Sequence, residues 1–199
     1  MLQGSMVSRF VVLLCLLALL GANGPGIPLG AASPDSGKAA LQVSLLRLEP
    51  SLSFIPIGGT ACVDLRVEEV EGLFGFETVI QFDANRVHVV DANPAPGTQV
   101  TIGPFLQPQN LSHWYVINSA DNSRGTIRIA ITRMSPETGV SGSGVLATIC
   151  LLGVNRGNSP LTLSDTATLM LDPQVAFLSF DIKSGGALVG PVQRYRIPF

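Results

Sequence analysis

The sequence predicts an all-β domain, a sandwich or a barrel, and three observations carry that prediction. Apolar residues alternate with their neighbours at a period of two through run after run. Clusters of Gly, Asn, Asp, Ser and Pro punctuate those runs at short intervals. No stretch has the three- and four-residue apolar spacing of an amphipathic helix.

Four alternating segments show the pattern best. Val63, Leu65 and Val67 alternate with Cys62, Asp64 and Arg66. Phe76, Ile80 and Phe82 share one face of the next run, and Glu77, Val79, Gln81 and Asp83 the other. Ile127, Ile129 and Ile131 alternate with Thr126, Arg128, Ala130 and Thr132. Val145, Ala147, Ile149 and Leu151 alternate with Leu146, Thr148, Cys150 and Leu152. Each run reads as a strand with one buried and one exposed face. Strands are expected near 41–48, 52–57, 62–67, 75–82, 87–91, 114–118, 126–133, 145–154 and 161–164, with a last one around 187–189. The separating turns are Gly58-Gly59, Glu71-Gly72, Asp91–Pro94, Asp121–Gly125 and Asn155–Asn158. Two long irregular segments, 93–112 and 134–144, are the expected functional loops.

Composition excludes several function classes. The chain of 199 residues is 46% apolar and only 13% charged, with a formal net charge of −2. That is not the basic footprint that nucleic acid requires. The 12 basic residues are scattered, so no polybasic patch for a lipid surface forms either.

Ahead of the strands, Arg9 precedes an unbroken apolar run, Phe10–Leu20, followed by Gly21, Ala22, Asn23, Gly24 and Pro25. This is the layout of a secretory signal, expected over residues 1–24. The run is shorter than the roughly 20 residues a membrane span needs. Cys15 lies inside it rather than after a cleavage site, so no lipidated end is expected. A Gly/Ala/Pro/Ser-rich linker is expected over 25–39, the β-domain over 40–190, and a short basic, aromatic tail over 191–199.

The order of segments resembles a cohesin module. The residues that carry the likeness are Val63–Val67, Leu73–Glu77, Gln81–Asp83, Val87–Asp91, Gly125–Ile127 and Gly144–Ile149, and it extends over about 43–189. The resemblance implies a nine-stranded antiparallel β-sandwich with jelly-roll topology, related to a class of carbohydrate-binding modules. It also implies a protein partner. Cohesins bind dockerins, small calcium-dependent helical modules of polysaccharide-degrading enzymes, through one face of the sandwich. In that arrangement the strands carrying Cys62 and Cys150 are antiparallel neighbours, which permits a disulfide in an oxidising compartment. Two free, partly covered thiols are the alternative.

Catalytic and metal chemistry find no support in the residues. His88 and His113 are far apart, with no cysteine or carboxylate at ligand spacing. Gly142-Ser143-Gly144 followed by Ala147 imitates a dinucleotide fingerprint, but an alternating strand follows it where a helix is needed. Glu68, Glu69 and Glu71 read as a solvated turn, and no carboxylate pair stands out for glycoside hydrolysis. No metal or cofactor is expected; calcium at Asp121-Asn122 lacks the ligand count, and belongs rather to the partner. Asn110-Leu111-Ser112 matches a glycosylation acceptor.

The outward positions Glu77, Val79, Gln81, Asn118, Arg128 and Ala130 form a mixed polar and apolar face suited to a protein. Trp114 and Tyr115 are adjacent and should point to opposite faces, which leaves little for a sugar-stacking platform. The expected function is that of a secreted, monomeric, non-catalytic module binding a dockerin-like partner. Direct polysaccharide binding on the same fold and a structural surface role are the alternatives.

Overall fold

The computed structural model of the chain describes residues 43–191, which lie within one compact unit. The expected signal, linker and nearly all of the tail lie outside the described residues. Among the described residues, thirteen strands form two sheets. They are β1 (Ser44–Glu49), β2 (Leu52–Pro56), β3 (Thr60–Leu73), β4 (Gly75–Gln81), β5 (Val87–Val89), β6 (Thr101–Ile102), β7 (Trp114–Asp121), β8 (Thr126–Arg133), β9 (Val140–Gly153), β10 (Gly157–Leu163), β11 (Leu169–Leu171), β12 (Phe180–Lys183) and β13 (Gly185–Gly190). One sheet runs β12-β1-β3-β9-β5, with β6 also on β9. The other runs β2-β13-β10-β4-β8-β7, with β11 also on β4. The helical elements among the described residues are two 3-10 turns, Leu111–His113 and Asp165–Ala167.

The inward faces are those the alternation marks, except on β9, where a register shift leaves Val145 half-buried and turns Leu146 into the core. Val63, Leu65, Val67, Phe76, Ile80, Ile127, Ile129, Ile131, Ile149 and Leu151 are all buried in one core between the sheets. Burying a branched aliphatic side chain contributes about 1.5–3 kcal/mol, so these residues decide which face turns inward.

The sheets are mixed, not purely antiparallel. β1 pairs with β12 and β2 with β13 in parallel, while the remaining named ladders are antiparallel. Both pairs arise because the strands near the two ends of the domain each change sheet midway. The first breaks at Pro50-Ser51 and the last at Ser184, and Gly186 N–H bonds Ser51 O at the crossing. Two long strands thus count as four, and β6 and β11 are short pairings inside irregular sequence. That is why the count exceeds nine.

The Glu71-Gly72 turn is instead part of β3, so Glu68, Glu69 and Glu71 lie on a strand. Glu69 (φ 56) and Gly72 (φ 65) take the left-handed conformation inside the ladder, and the β3–β9 register shifts around Val70. The same backbone geometry that makes a turn here makes bulges. Their amides are satisfied from the opposite strand: Ser143 Oγ accepts from Glu69 N–H at 3.0 Å and Ser141 Oγ from Gly72 N–H at 2.9 Å. The segment 134–144 is accordingly strand from Val140 onward.

Cys62 and Cys150 face each other directly across β3 and β9 and are joined in a disulfide. Its sulfurs lie on the outer face of the sheet, where Cys62 is exposed.

Candidate functional site

The outer face of β11, β4, β8 and β7 is built row by row from the strand register. Leu171, Gly75, Thr132 and Tyr115 stand opposite one another in the first row. Leu169, Glu77, Ala130 and Ile117 form the second, and Val79, Arg128 and Ser119 the third. Gln81 and Thr126 continue into the fourth, between Thr162 and Asp121. The face therefore brings together Glu77, Val79, Gln81, Arg128 and Ala130.

Asn118 does not belong to it. It stands opposite the fully buried Ile129 and so points to the inner side of the sheet. There its Oδ1 accepts from Val100 N–H at 3.0 Å and its Nδ2 donates to Val100 O at 2.6 Å. The side-chain amide offers the donor and acceptor of a peptide unit, so it pairs with an edge segment as a strand would. Asn122 does the same for Val89, at 2.7 and 3.0 Å. Two inward asparagines on one edge thus replace backbone pairing, and a polar residue at an inner position reads as outward in the sequence.

Glu77 is buried despite its outward parity, at 6% exposure. Arg128 covers it, placing Nη2 3.2 Å and Nε 3.3 Å from Oε1. The apolar neighbours Leu169, Ala130 and Ile117 flank the pair, so the middle of the face is a neutralised ion pair in an apolar frame.

Phe177, which the sequence did not mark, and Tyr115 complete the surface. Phe177 bridges Leu171 on its far edge and extends the first row; it is 78% exposed. Tyr115, 46% exposed, ends the same row on β7, while Trp114 turns inward against the core. Between them Gly75 and Leu171 are buried, so the row has an exposed aromatic post at each end and a covered middle. Four strand spacings separate the posts, about 19 Å. The loop that presents Phe177 is tightly held: Asp172 Oδ1 accepts from Gln174 N–H and Ala176 N–H, each at 2.8 Å. Val175 there has φ 68, an unfavourable conformation for a β-branched residue.

Beyond the first row, both long irregular segments are fixed by Arg133, which is buried at the end of β8. Its Nη1 donates to Leu106 O at 2.9 Å and its Nη2 to Glu137, which also faces His113 Nδ1 at 3.5 Å. These segments brace the site rather than form it.

Other sequence candidates are used in turns. Asp121 Oδ1 accepts from Ser123 N–H, Ser123 Oγ–H and Arg124 N–H. Asn110 caps the first 3-10 turn by accepting from Ser112 N–H and Oγ–H, and is exposed. Among the described residues no group of three or more His, Cys, Asp or Glu is placed to hold a metal, and no helix is long and apolar enough to cross a membrane.

No family model and no curated protein matches the chain. Solved structures do match in fold. A type II cohesin domain from the cellulosome of Acetivibrio cellulolyticus is 11% identical, with a TM-score of 0.60 over 73% of this chain and 95% of its own. A non-cellulosomal cohesin from the archaeon Archaeoglobus fulgidus is 15% identical, with a TM-score of 0.57 over 76% and 94%. A chain of a type I cohesin–dockerin complex from Clostridium thermocellum is 13% identical, with a TM-score of 0.57 over 74% and 99%. Residues 43–191 form a β-sandwich with the fold of cohesin domains.

Proposed function

We propose that this chain is a secreted, non-catalytic interaction module that binds a dockerin-type helical partner through the outer face of β11, β4, β8 and β7. The observation that carries the reading is the outer face itself, with exposed Tyr115 and Phe177 at the two ends of its first row. An α-helix with its side chains is about 10–12 Å across, and posts about 19 Å apart leave room for one to lie between them. The Leu169–Ala130–Ile117 row offers apolar contact beside it. Gln81 and Val79 extend the contact toward the hairpin, while Arg128 and Glu77 supply a polar centre. Solved cohesins of this fold include several captured with dockerins, which supports the same class of partner. The apolar run before Gly21 and the cross-strand disulfide favour an oxidising, extracellular location. Any calcium belongs to the partner.

Titration with dockerins encoded by the same organism, with and without calcium, tests the reading. Binding that needs calcium and falls at least tenfold in Tyr115→Ala, Phe177→Ala and Gly75→Leu is expected. Gly75→Ala is the folded control, because an added Cβ meets Leu171 and Thr132 only at 3.6–3.7 Å. Failure of every dockerin, or binding indifferent to all three substitutions, rejects it. Retention on cellulose, chitin or soluble glucans in their place identifies the module as a polysaccharide binder.

A further inference from the structure

The tripeptide Asn110-Leu111-Ser112 takes no part in the proposed face. It is the one Asn-x-Ser or Asn-x-Thr in the chain, and its middle residue is not proline. Residues 109–112 are an exposed run, with Leu111 at 56%. The backbone leading into them is held from below. Leu106 and Pro108 are buried, and Arg133 Nη1 donates to Leu106 O at 2.9 Å. The tripeptide is thus presented to solvent on a supported loop.

The hydrogen bonds of Asn110 leave its amide nitrogen open. Oδ1 accepts from Ser112 N–H at 3.0 Å and from Ser112 Oγ–H at 2.8 Å. The backbone O of Asn110 accepts from His113 N–H at 2.9 Å. Among the described residues nothing accepts from Nδ2, which is the atom that an N-linked sugar takes.

The other described asparagines lack one requirement or another. Asn118, Asn122 and Asn155 commit Nδ2 to Val100 O, Val89 O and Asn85 O, at 2.6, 3.0 and 2.8 Å. Asn85, Asn93 and Asn158 are followed two residues on by Val87, Ala95 and Pro160, none of which carries a hydroxyl. Among the described residues, only Asn110 joins exposure and an open Nδ2 to a hydroxyl at the second following position.

Capping of the 3-10 turn does not account for this combination. Aspartate and serine cap a helix about as well as asparagine does. The cap uses Oδ1 alone, and Ser112 N–H already supplies its bond. Capping and modification are also compatible, because an asparagine joined to a sugar through Nδ2 keeps Oδ1 as an acceptor.

We propose that Asn110 is a site of N-linked glycosylation, receiving an oligosaccharide from a lipid pyrophosphate donor at the secretory membrane. In that step Nδ2 forms a bond to C1 of the first sugar and gives up one proton. The bond from C1 to the pyrophosphate oxygen breaks, and the lipid pyrophosphate leaves with the bonding pair. The proposal rests on the secreted part of the functional reading and is independent of the dockerin-type partner.

Peptide mass mapping of the full chain, secreted by its own organism, tests it. Trypsin cuts after Arg86 and Arg124, so Asn110 lies in the peptide 87–124. That peptide is expected to carry added saccharide mass, located on Asn110 by fragmentation. Asn110→Asp keeps the capping oxygen and removes Nδ2, so it is expected to be secreted with the peptide bare. Ser112→Ala loses the added mass, and Ser112→Thr, which restores a hydroxyl, retains it. A bare peptide from the secreted natural chain overturns the proposal and leaves secretion standing. Added mass that persists in Asn110→Asp also overturns it, because the sugar then sits elsewhere. A chain retained inside the cell overturns both the proposal and the secreted reading.

Discussion

Arg128 lies directly over Glu77 on the neighbouring strand, with two guanidinium nitrogens sharing the single carboxylate oxygen Oε1 at 3.2 and 3.3 Å. Glu77 is buried and Arg128 only partly so, with side-chain exposures of 8% and 35%. Removing the arginine strips this cover from a buried carboxylate. Burial makes that costly, and the partial exposure of Arg128 reduces the cost below that of a fully buried pair. Arg128→Ala is expected to lose about 1–2 kcal/mol in urea unfolding, and Glu77→Ala/Arg128→Ala together less than the sum of the two single losses. Additive losses would show that the two side chains act separately.

The disulfide contributes through the chain it constrains. Cys62 and Cys150 are 88 residues apart, and closing a loop of that length in the unfolded chain is worth up to about 4 kcal/mol. Reduction, or Cys62→Ser/Cys150→Ser, should lower the urea midpoint strongly while leaving the far-ultraviolet spectrum in place at low denaturant. The β3–β9 ladder itself does not depend on the bond, since its hydrogen bonds and the buried Val63–Ile149 pair remain. A serine variant as stable as the oxidised protein contradicts the assignment.

Legibility in the sequence followed the strength of alternation. β8 is read residue for residue, because Ile127, Ile129 and Ile131 all face the core and no bulge interrupts them. β3 is read only to Val67; beyond it the Glu69 and Gly72 bulges break the parity that alternation depends on. β7 misleads for another reason. Its inner position 118 is filled by an asparagine whose polarity is cancelled by Val100, a partner eighteen residues away that no local pattern announces. Five of the six residues expected to share one outward sheet face do so, since they lie on β4 and β8. Phe177 had no signal at all: it is placed by one bridge to Leu171 and by the Asp172 turn.

Gly125 closes the β7–β8 hairpin that carries half of the face, and only glycine fits. Its φ is 68, and an added Cβ would fall 2.1 Å from Phe82 O. That carbonyl belongs to backbone that Gly125 itself anchors, by accepting from Phe82 N–H at 2.8 Å. Gly125→Ala should therefore cost about 2–4 kcal/mol, from strain together with backbone displacement. Gly58 supplies the comparison. It also has positive φ, at 74, but open space around it, so Gly58→Ala should cost only about 1 kcal/mol. Thermal unfolding of the two variants separates the contributions; equal losses would mean that the close approach to Phe82 is relieved without cost.

The same hairpin should give the domain part of its acid sensitivity. Asp121 is held below the ordinary aspartate value of 3.8, first by the Ser123 hydroxyl and then by the backbone N–H groups of Arg124 and Ser123. A carboxyl whose folded value is depressed stabilises the fold fully above its unfolded value, and loses that contribution as pH falls through the folded one. Asp121→Asn keeps an oxygen that accepts the same hydrogen bonds but cannot titrate. The stability difference between the two proteins is therefore expected to be constant above about pH 5 and to shift toward the asparagine variant as pH drops below 3.8. The other carboxylates are common to both proteins and cancel in the difference. Thermal midpoints measured from pH 2 to 6 read it directly, and parallel curves over the whole range would show that the turn does not sense the charge.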